Sequence, residues 1–281
     1  MHKYFERYFP VCRPFFHRLK RWTALQNYRN VTVDNAYALP VVRYCIPAGK
    51  YQVSGKKLAF LSDMHFFGKK KDRALMAKVR QTLKSLQPDY LLLGGDQSGN
   101  AENLDALTGE LKRLTASAPV TIAINGNWES GKNWLPQGFW KDFYRQCGII
   151  HLCNETFSDG SFCFTGVDDI SHGKTRLPEL PQGNCCNILL AHSPDAVIAL
   201  DHKDMLSPFT LALCGHTHGG QVRLPFFGPG CCRSKYLNHF IYGLFKHERN
   251  DLLMVVTSGI SEGSFPLRLF CRREIVFIEF V

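Results

Sequence analysis

Several things are absent from this chain of 281 residues, and each absence narrows what it can be. No apolar run is long enough to cross a bilayer, and the first residues hold no continuous apolar stretch of the kind that leads a secreted protein. The expectation is a protein on the cytoplasmic side of the membrane. No GxxxxGK[ST] loop occurs, which disfavours a nucleotide-driven machine. The 11 cysteines are odd in number, include the adjacent pairs Cys185-Cys186 and Cys231-Cys232, and form no CxxC. That argues against a disulfide framework and fits reduced thiols. Acidic residues are scarce, 24 Asp+Glu against 34 Lys+Arg, and the resulting formal charge of +10 favours anionic partners. There is no internal repeat and no low-complexity segment.

What is present is an alternation of strand and helix. Apolar runs at Leu58–Leu61, Tyr90–Leu93, Val120–Ile124, Ile188–Ala191 and Phe209–Cys214 read as buried strands. Further strands are expected at 149–152, 162–167, 252–257 and 274–280, and an extended stretch at 31–46. Between them lie helical patterns at 73–86, with Asp72 as the expected cap, and at 101–114 and 139–147. This order predicts an α/β class.

Residues 1–30 differ from the rest. Tyr4, Phe5, Tyr8, Phe9, Cys12, Phe15, Phe16, Leu19 and Trp22 recur at helical spacing among Lys3, Arg7, Arg13, Arg18, Lys20 and Arg21. Pro10 and Pro14 divide the stretch into two short pieces. A basic face opposite an aromatic one predicts an anchor on an anionic membrane surface, ahead of a single domain over 31–281. The competing readings are an amphipathic element packed on that domain and, more weakly, a segment that binds single-stranded nucleic acid.

The chemistry is concentrated where strands end. Asp63 and His65 follow the first strand, Asp96 the second, Asn127 the third, His192 the fourth, and His216 and His218 the fifth. In open α/β folds, sites form outside the carboxyl ends of strands, where loops converge. Asp, Asn and His supply oxygen and nitrogen donors without thiolate, a set suited to Mn, Fe or Zn. The bland reading, surface histidines, explains one such motif but not five groups in register with five strands. Other polar residues take the bland reading: His172 as solvated, His151 as a structural histidine, and His239 and His247 as flanks of an aromatic core stretch. Asp168 and Asp169 follow a strand, so either is able to approach the site.

The order DxH, GD, GN, H, GHTH from Lys56 to the C-terminus resembles the calcineurin-like metallophosphoesterase family. The run Gly219-Gly220-Gln221-Val222-Arg223-Leu224-Pro225 and the ending at 257–270 resemble its bacterial branch of small membrane-associated phosphodiesterases. The resemblance implies two stacked mixed β-sheets flanked by helices, a four-layer sandwich. It implies two divalent metal ions, Mn foremost, with Fe or Zn as alternatives. Asp63, His65 and His218 would hold one ion, Asn127, His192 and His216 the other, and Asp96 would bridge them. A metal-bound hydroxide would attack phosphorus, with no catalytic side chain beyond it.

One position departs from the family pattern. Where the family reads GNH, this chain reads Gly126-Asn127-Trp128-Glu129, and an indole cannot serve as a proton donor. Asn127 and Trp128 are then expected to contact substrate, and nothing in the sequence orients Glu129 as a substitute acid. The absence of the histidine points to a leaving group that departs without protonation, such as the phosphate of an anhydride. The expected substrate is a phosphorylated small molecule or lipid, foremost a lipid-linked pyrophosphate such as UDP-2,3-diacylglucosamine of lipid A synthesis, hydrolysed by an enzyme peripheral on the inner membrane face. The alternatives are a general phosphodiesterase, a metal-dependent nuclease, for which no discrete nucleic-acid module is found, and a non-enzymatic metal-binding scaffold. Composition does not specify an oligomeric state.

Overall fold

The computed structural model describes residues 22–25, 31–36, 38–132, 134–181, 183–224, 228–229, 234, 239–263 and 266–281. In chain order its strands are β1 (Trp22–Ala24), β2 (Val31–Asp34), β3 (Val41–Ile46), β4 (Lys57–Leu61), β5 (Tyr90–Leu93), β6 (Val120–Ala123), β7 (Ile150–His151) and β8 (Glu155–Ser158). They continue with β9 (Phe162–Gly166), β10 (Cys186–Leu190), β11 (Leu211–Cys214), β12 (Arg223–Leu224), β13 (Gly228–Pro229), β14 (Gly243–His247), β15 (Leu253–Val256) and β16 (Ile275–Phe280). The helices are α1 (Lys70–Leu86), α2 (Leu104–Thr115), α3 (Asn127–Ser130), α4 (Phe139–Gln146) and α5 (Pro194–Asp201).

Two seven-stranded mixed sheets form, in the orders β2-β3-β16-β4-β5-β6-β7 and β1-β14-β15-β11-β10-β9-β8. Strands β4 to β7 run parallel in the first, and β9, β10, β11 and β15 in the second. The reason lies in the residues. Along β4, Leu58 and Phe60 enter the core between the sheets, while Ala59 and Leu61 pack against the outer helices. A strand buried on both faces must be apolar throughout, which is why it reads as an unbroken run. Leu190, Leu213, Val255 and Phe164 of the second sheet complete the inner core. Helices α1, α2 and α4 cover the first sheet's outer face and α5 the second's. The result is the α/β four-layer sandwich expected from the sequence.

Several local expectations are corrected. Asp72 is not the cap of α1: it sits at the third helical position, where its carboxylate accepts from the N–H groups of Phe67 and Lys69, both at 3.0 Å. The helix therefore starts three residues earlier than its apolar stripe, Met76, Val79, Leu83 and Leu86, suggests. The extended stretch at 31–46 is a pair of antiparallel strands, β2 and β3. The aromatic stretch before His247 contains β14, and β8 also went unread because neither has a clean alternation.

Most of the basic aromatic segment lies outside the described residues. Trp22, placed on its aromatic stripe, is in β1, paired antiparallel to β14 and buried, with its indole N–H donating to Asp201 Oδ2 at 3.2 Å. Among the described residues no helix is long and apolar enough to cross a membrane.

Candidate metal centre

The parallel strands of both sheets end on one edge, and the loops beyond them interlock. Gly215 N–H donates to His192 O at 2.8 Å, His216 N–H to Asp63 Oδ2 at 3.0 Å, and His192 Nδ1 to the carbonyl of Gly94 in the other sheet at 2.8 Å. The last two of these bonds tie the two sheets together at the point where Asp63, His65, Asp96, Asn127, His192, His216 and His218 converge. All seven expected site residues are brought to one place.

Their backbone is unusual. Asp63, His65, Asp96, His216 and His218 all have positive φ, between 41° and 68°. Each such residue costs roughly 1–3 kcal/mol, and a cluster of five is the signature of a functional site held in place by its surroundings. Close backbone approach adds a further constraint. At Gly126 a Cβ would stand 2.2 Å from Asp96 Oδ1, and at Gly95, with φ +94°, one would stand 2.6 Å from His192 Nδ1.

The donor atoms form two overlapping groups. His65 Nε2 and His218 Nε2 face each other at 3.1 Å, with Asp63 Oδ1 at 3.9 Å from the first and 3.4 Å from the second. On the other side Asn127 Oδ1 lies 3.1 Å from His192 Nε2 and 2.9 Å from His216 Nδ1, and those two nitrogens are 3.2 Å apart. Asp96 Oδ2 stands between the groups, 3.6 Å from His65 Nε2 and 3.5 Å from His192 Nε2. Ligands about 2.1 Å from a common ion lie roughly 3.0–3.4 Å apart. The Asn127, His192 and His216 distances and the His218 distances fall in or next to that range, while those of His65 to Asp63 and of Asp96 to both groups, 3.5–3.9 Å, are longer.

Hydrogen bonds fix the orientation of two of these rings and leave one carboxylate oxygen without a partner. His218 gives its Nδ1 proton to Ser261 O (3.2 Å) and His192 its Nδ1 proton to Gly94 O, so Nε2 is the nitrogen that each turns toward the other site residues. Asp63 Oδ1 is fully buried without a hydrogen-bond partner. A buried, orphaned carboxylate oxygen facing imidazole nitrogens calls for a cation. The titration directions agree. Burial opposes ionisation of Asp63, yet the surrounding imidazoles of His218 and His192 hold its pKa below the usual range. Burial also opposes charging of His192, but the Asp96 carboxylate lifts it to about 10. His218 is instead lowered to about 4 by burial and remains a neutral ligand. The residues fit divalent ions: this is a two-metal site built from Asp and His ligand groups.

Trp128 stands at the mouth, half-buried. Its backbone N–H donates to Asp96 Oδ1 at 2.9 Å, its indole meets the His65 ring edge-on at 5.4 Å, and Lys132 Nζ lies 5.2 Å from the ring centroid. Glu129 corrects the sequence reading, because the fold does orient it, but away from any role as acid. Its buried carboxylate accepts from the N–H groups of Asp96 (2.8 Å), Ser98 (2.9 Å) and Gly126 (2.9 Å). Burial and the Asp96 charge raise its pKa to about 7, against the pull of those N–H bonds. Glu129 thus pins the strained turn that carries Asp96.

A second support was also illegible in the sequence. The Arg268 guanidinium donates to the carbonyls of Ser258 and Ser261, and Ser261 O is the acceptor that orients His218. Asp168 does not join the centre. Its carboxylate is occupied by Ser130 Oγ and the backbone N–H groups of Asp169 and Lys174. Asp169 accepts from Ser171 and His172 N–H, and His172 is exposed. His151 is buried on Asn125, and His247 on Asp201.

Comparison with known proteins gives the same answer as the geometry. The chain is 30% identical over 258 residues to the putative metallophosphoesterase F40B5.2 of Caenorhabditis elegans, covering 85% of this chain and 52% of that protein, so it spans about half the length of that relative. It is 27% identical over 247 residues to phosphodiesterase YaeI of Escherichia coli, covering 86% and 88% of the two chains. It is 36% identical over 209 residues to the uncharacterized metallophosphoesterase YkuE of Bacillus subtilis, covering 69% and 68%. The calcineurin-like phosphoesterase model matches residues 56–226, which contain all seven converging residues. With more than half of its length matched, the chain belongs to the calcineurin-like phosphoesterase family.

Proposed function

We propose that this phosphoesterase-type hydrolase cleaves a phosphoric anhydride, or a diester with a stabilised leaving group, in a lipid-linked substrate. The observation that supports the site assignment is Asp96 Oδ2, poised almost equally between His65 Nε2 (3.6 Å) and His192 Nε2 (3.5 Å). Asp63, His65 and His218 would hold one divalent ion and Asn127, His192 and His216 the other, with Asp96 between them; Mn is the foremost candidate. Two such ions supply charge neutralisation at the phosphoryl group and acidify a water.

The chain's own residues set the rest. Trp128 and Asn127 face the approaching ester, and Lys132 adds a positive charge over the indole. Glu129 is committed to three backbone N–H groups, so it does not replace the histidine of the family pattern as a proton donor. A leaving group of low pKa is what such a site handles best. A lipid-linked substrate rests on the +10 charge and the basic aromatic sequence of residues 1–30. UDP-2,3-diacylglucosamine is the specific candidate. The similarity to a phosphodiesterase of Escherichia coli favours a general diester as the second reading.

The test is to incubate Mn-loaded protein with UDP-diacylglucosamine in mixed micelles and measure UMP by chromatography, beside a simple aryl diester. UMP release above the metal-free control supports the lipid anhydride. Turnover of the diester alone selects the general phosphodiesterase. Trp128→His should accelerate esters with poor leaving groups by about 10²-fold or more and leave activated ones nearly unchanged. An equal effect across leaving-group pKa would remove the argument from Trp128.

A further inference from the structure

Beside the metal centre the protein exposes a patch of large apolar side chains. Phe270 is 71% exposed, Val33 55%, Leu224 48%, Leu267 46% and Leu269 37%. Four of them sit on two segments laced together: Arg223 N–H donates to Leu269 O at 2.9 Å, Leu269 N–H to Gln221 O at 3.0 Å, and the Gln221 side chain to Leu267 O at 2.9 Å. The fifth, Val33, joins Phe270 in lining a crevice of about 400 Å³ with Pro40, Val42 and Tyr242. A folded chain of this size leaves isolated apolar residues on its surface, but a contiguous group with a crevice marks a contact surface.

The same segments adjoin the metal centre. Gln221 directly follows the His218–Gly220 turn, and the thiol of Cys271 donates to His218 O at 3.2 Å. Whatever covers the patch therefore lies at the mouth of the site. Charge identifies the occupant. Arg223 and Arg272 border the crevice, and among the described residues neither has a carboxylate partner: Arg223 lies over the Tyr242 ring and Arg272 reaches Asn35 at 3.4 Å. The neighbouring Arg273, by contrast, is ion-paired to Glu262. A second copy docked face to face would bring these guanidiniums together. An anionic headgroup layer over an apolar interior complements both features.

We propose that this rim of Val33, Leu224, Leu267, Leu269 and Phe270, with Arg223 and Arg272, docks the protein on an anionic lipid surface and holds the mouth of the metal centre there. This goes beyond the substrate assignment, since the rim orients the site whatever ester it cleaves, and it is separate from the sequence of residues 1–30.

The experiment is co-sedimentation of the full chain with phosphatidylcholine vesicles, with and without phosphatidylglycerol, and with residues 1–30 present throughout. Leu267→Ser/Leu269→Ser/Phe270→Ser should lower partitioning about tenfold or more. Arg223→Gln/Arg272→Gln should abolish the preference for anionic vesicles. Both should hydrolyse a soluble aryl diester at the normal rate, which separates failure of the rim from failure of the enzyme reading. If the triple variant does not fold, Phe270→Ser alone, at the most exposed position, should still weaken binding several-fold. Unchanged partitioning in folded variants overturns the proposal. So does a concentration-dependent dimer, lost in the triple variant, in a protein that binds no vesicles.

Discussion

Asp96 carries more of the site than any other residue, because its two oxygens serve two masters. Oδ2 faces both donor groups, and Oδ1 is anchored by the backbone N–H of Trp128 at 2.9 Å. Asp96→Asn keeps the size but removes the charge that balances two cations. Residues that only orient ligands typically cost about 10–100-fold when lost, so Asp96, which we propose bridges the two ions, should cost more. Turnover of an aryl diester should fall by at least about 100-fold with the circular dichroism spectrum unchanged; a folded variant with near-normal activity would refute the site. Glu129→Gln is subtler. The amide keeps one acceptor oxygen, which can serve Asp96 and Gly126, but turns an N–H donor toward Ser98 N–H. The loss should cost about 1–3 kcal/mol of stability and weaken Mn binding roughly 10–100-fold by calorimetry. Normal Mn affinity in Glu129→Gln would reduce Glu129 to a fold residue.

At the level of elements, the strand ends account for what could be read in advance. Runs such as Leu58–Leu61 are buried on both faces, so their ends, and the polar residues just past them, are visible in the sequence alone. The convergence of Asp63, Asp96 and His192 follows from parallel strands sharing an edge. What stayed hidden depends on backbone groups distant in sequence: Glu129 binds N–H groups that its side chain's identity does not announce, and Arg268 reaches Ser261 only because the C-terminal segment folds back. The start of α1 was hidden for a related reason, since Asp72 looks like a cap but sits one turn inside. That position makes its own prediction. Asp72→Ala frees the N–H groups of Phe67 and Lys69 at the head of α1. It should cost about 1–2 kcal/mol and roughly 2–8 °C in Tm, with Mn affinity retained. An unchanged Tm would show that those N–H groups find other partners.

On the scale of the whole molecule, the metal centre is where the two sheets are fastened, so occupancy and stability are coupled. Buried Asp63 and Asp96 require positive charge nearby. In the metal-free protein, His192, raised to about 10 by Asp96 against the opposing effect of burial, holds a proton that supplies it. A raised histidine stabilises the fold fully below its unfolded pKa of about 6.5, and that contribution is lost as pH climbs towards 10. Divalent ions bind only the deprotonated ligand, so they displace this proton, and their affinity rises with pH over the same window. Two opposite slopes follow. The chelated protein should lose Tm between about pH 6.5 and 8.5, while the Mn-loaded protein holds its Tm or gains. At an Mn concentration about 100 times Kd, binding adds about 2.7 kcal/mol, or roughly 5–10 °C, and that gap should widen with pH. In Asp96→Asn, which loses the carboxylate that raises His192, both the gap and its pH dependence should shrink. Scanning calorimetry of the two proteins, with Mn and with chelator, reads all four curves. A gap constant with pH in the parent protein would mean that no proton leaves the cluster when metal enters, and the electrostatic account of the centre would have to be abandoned.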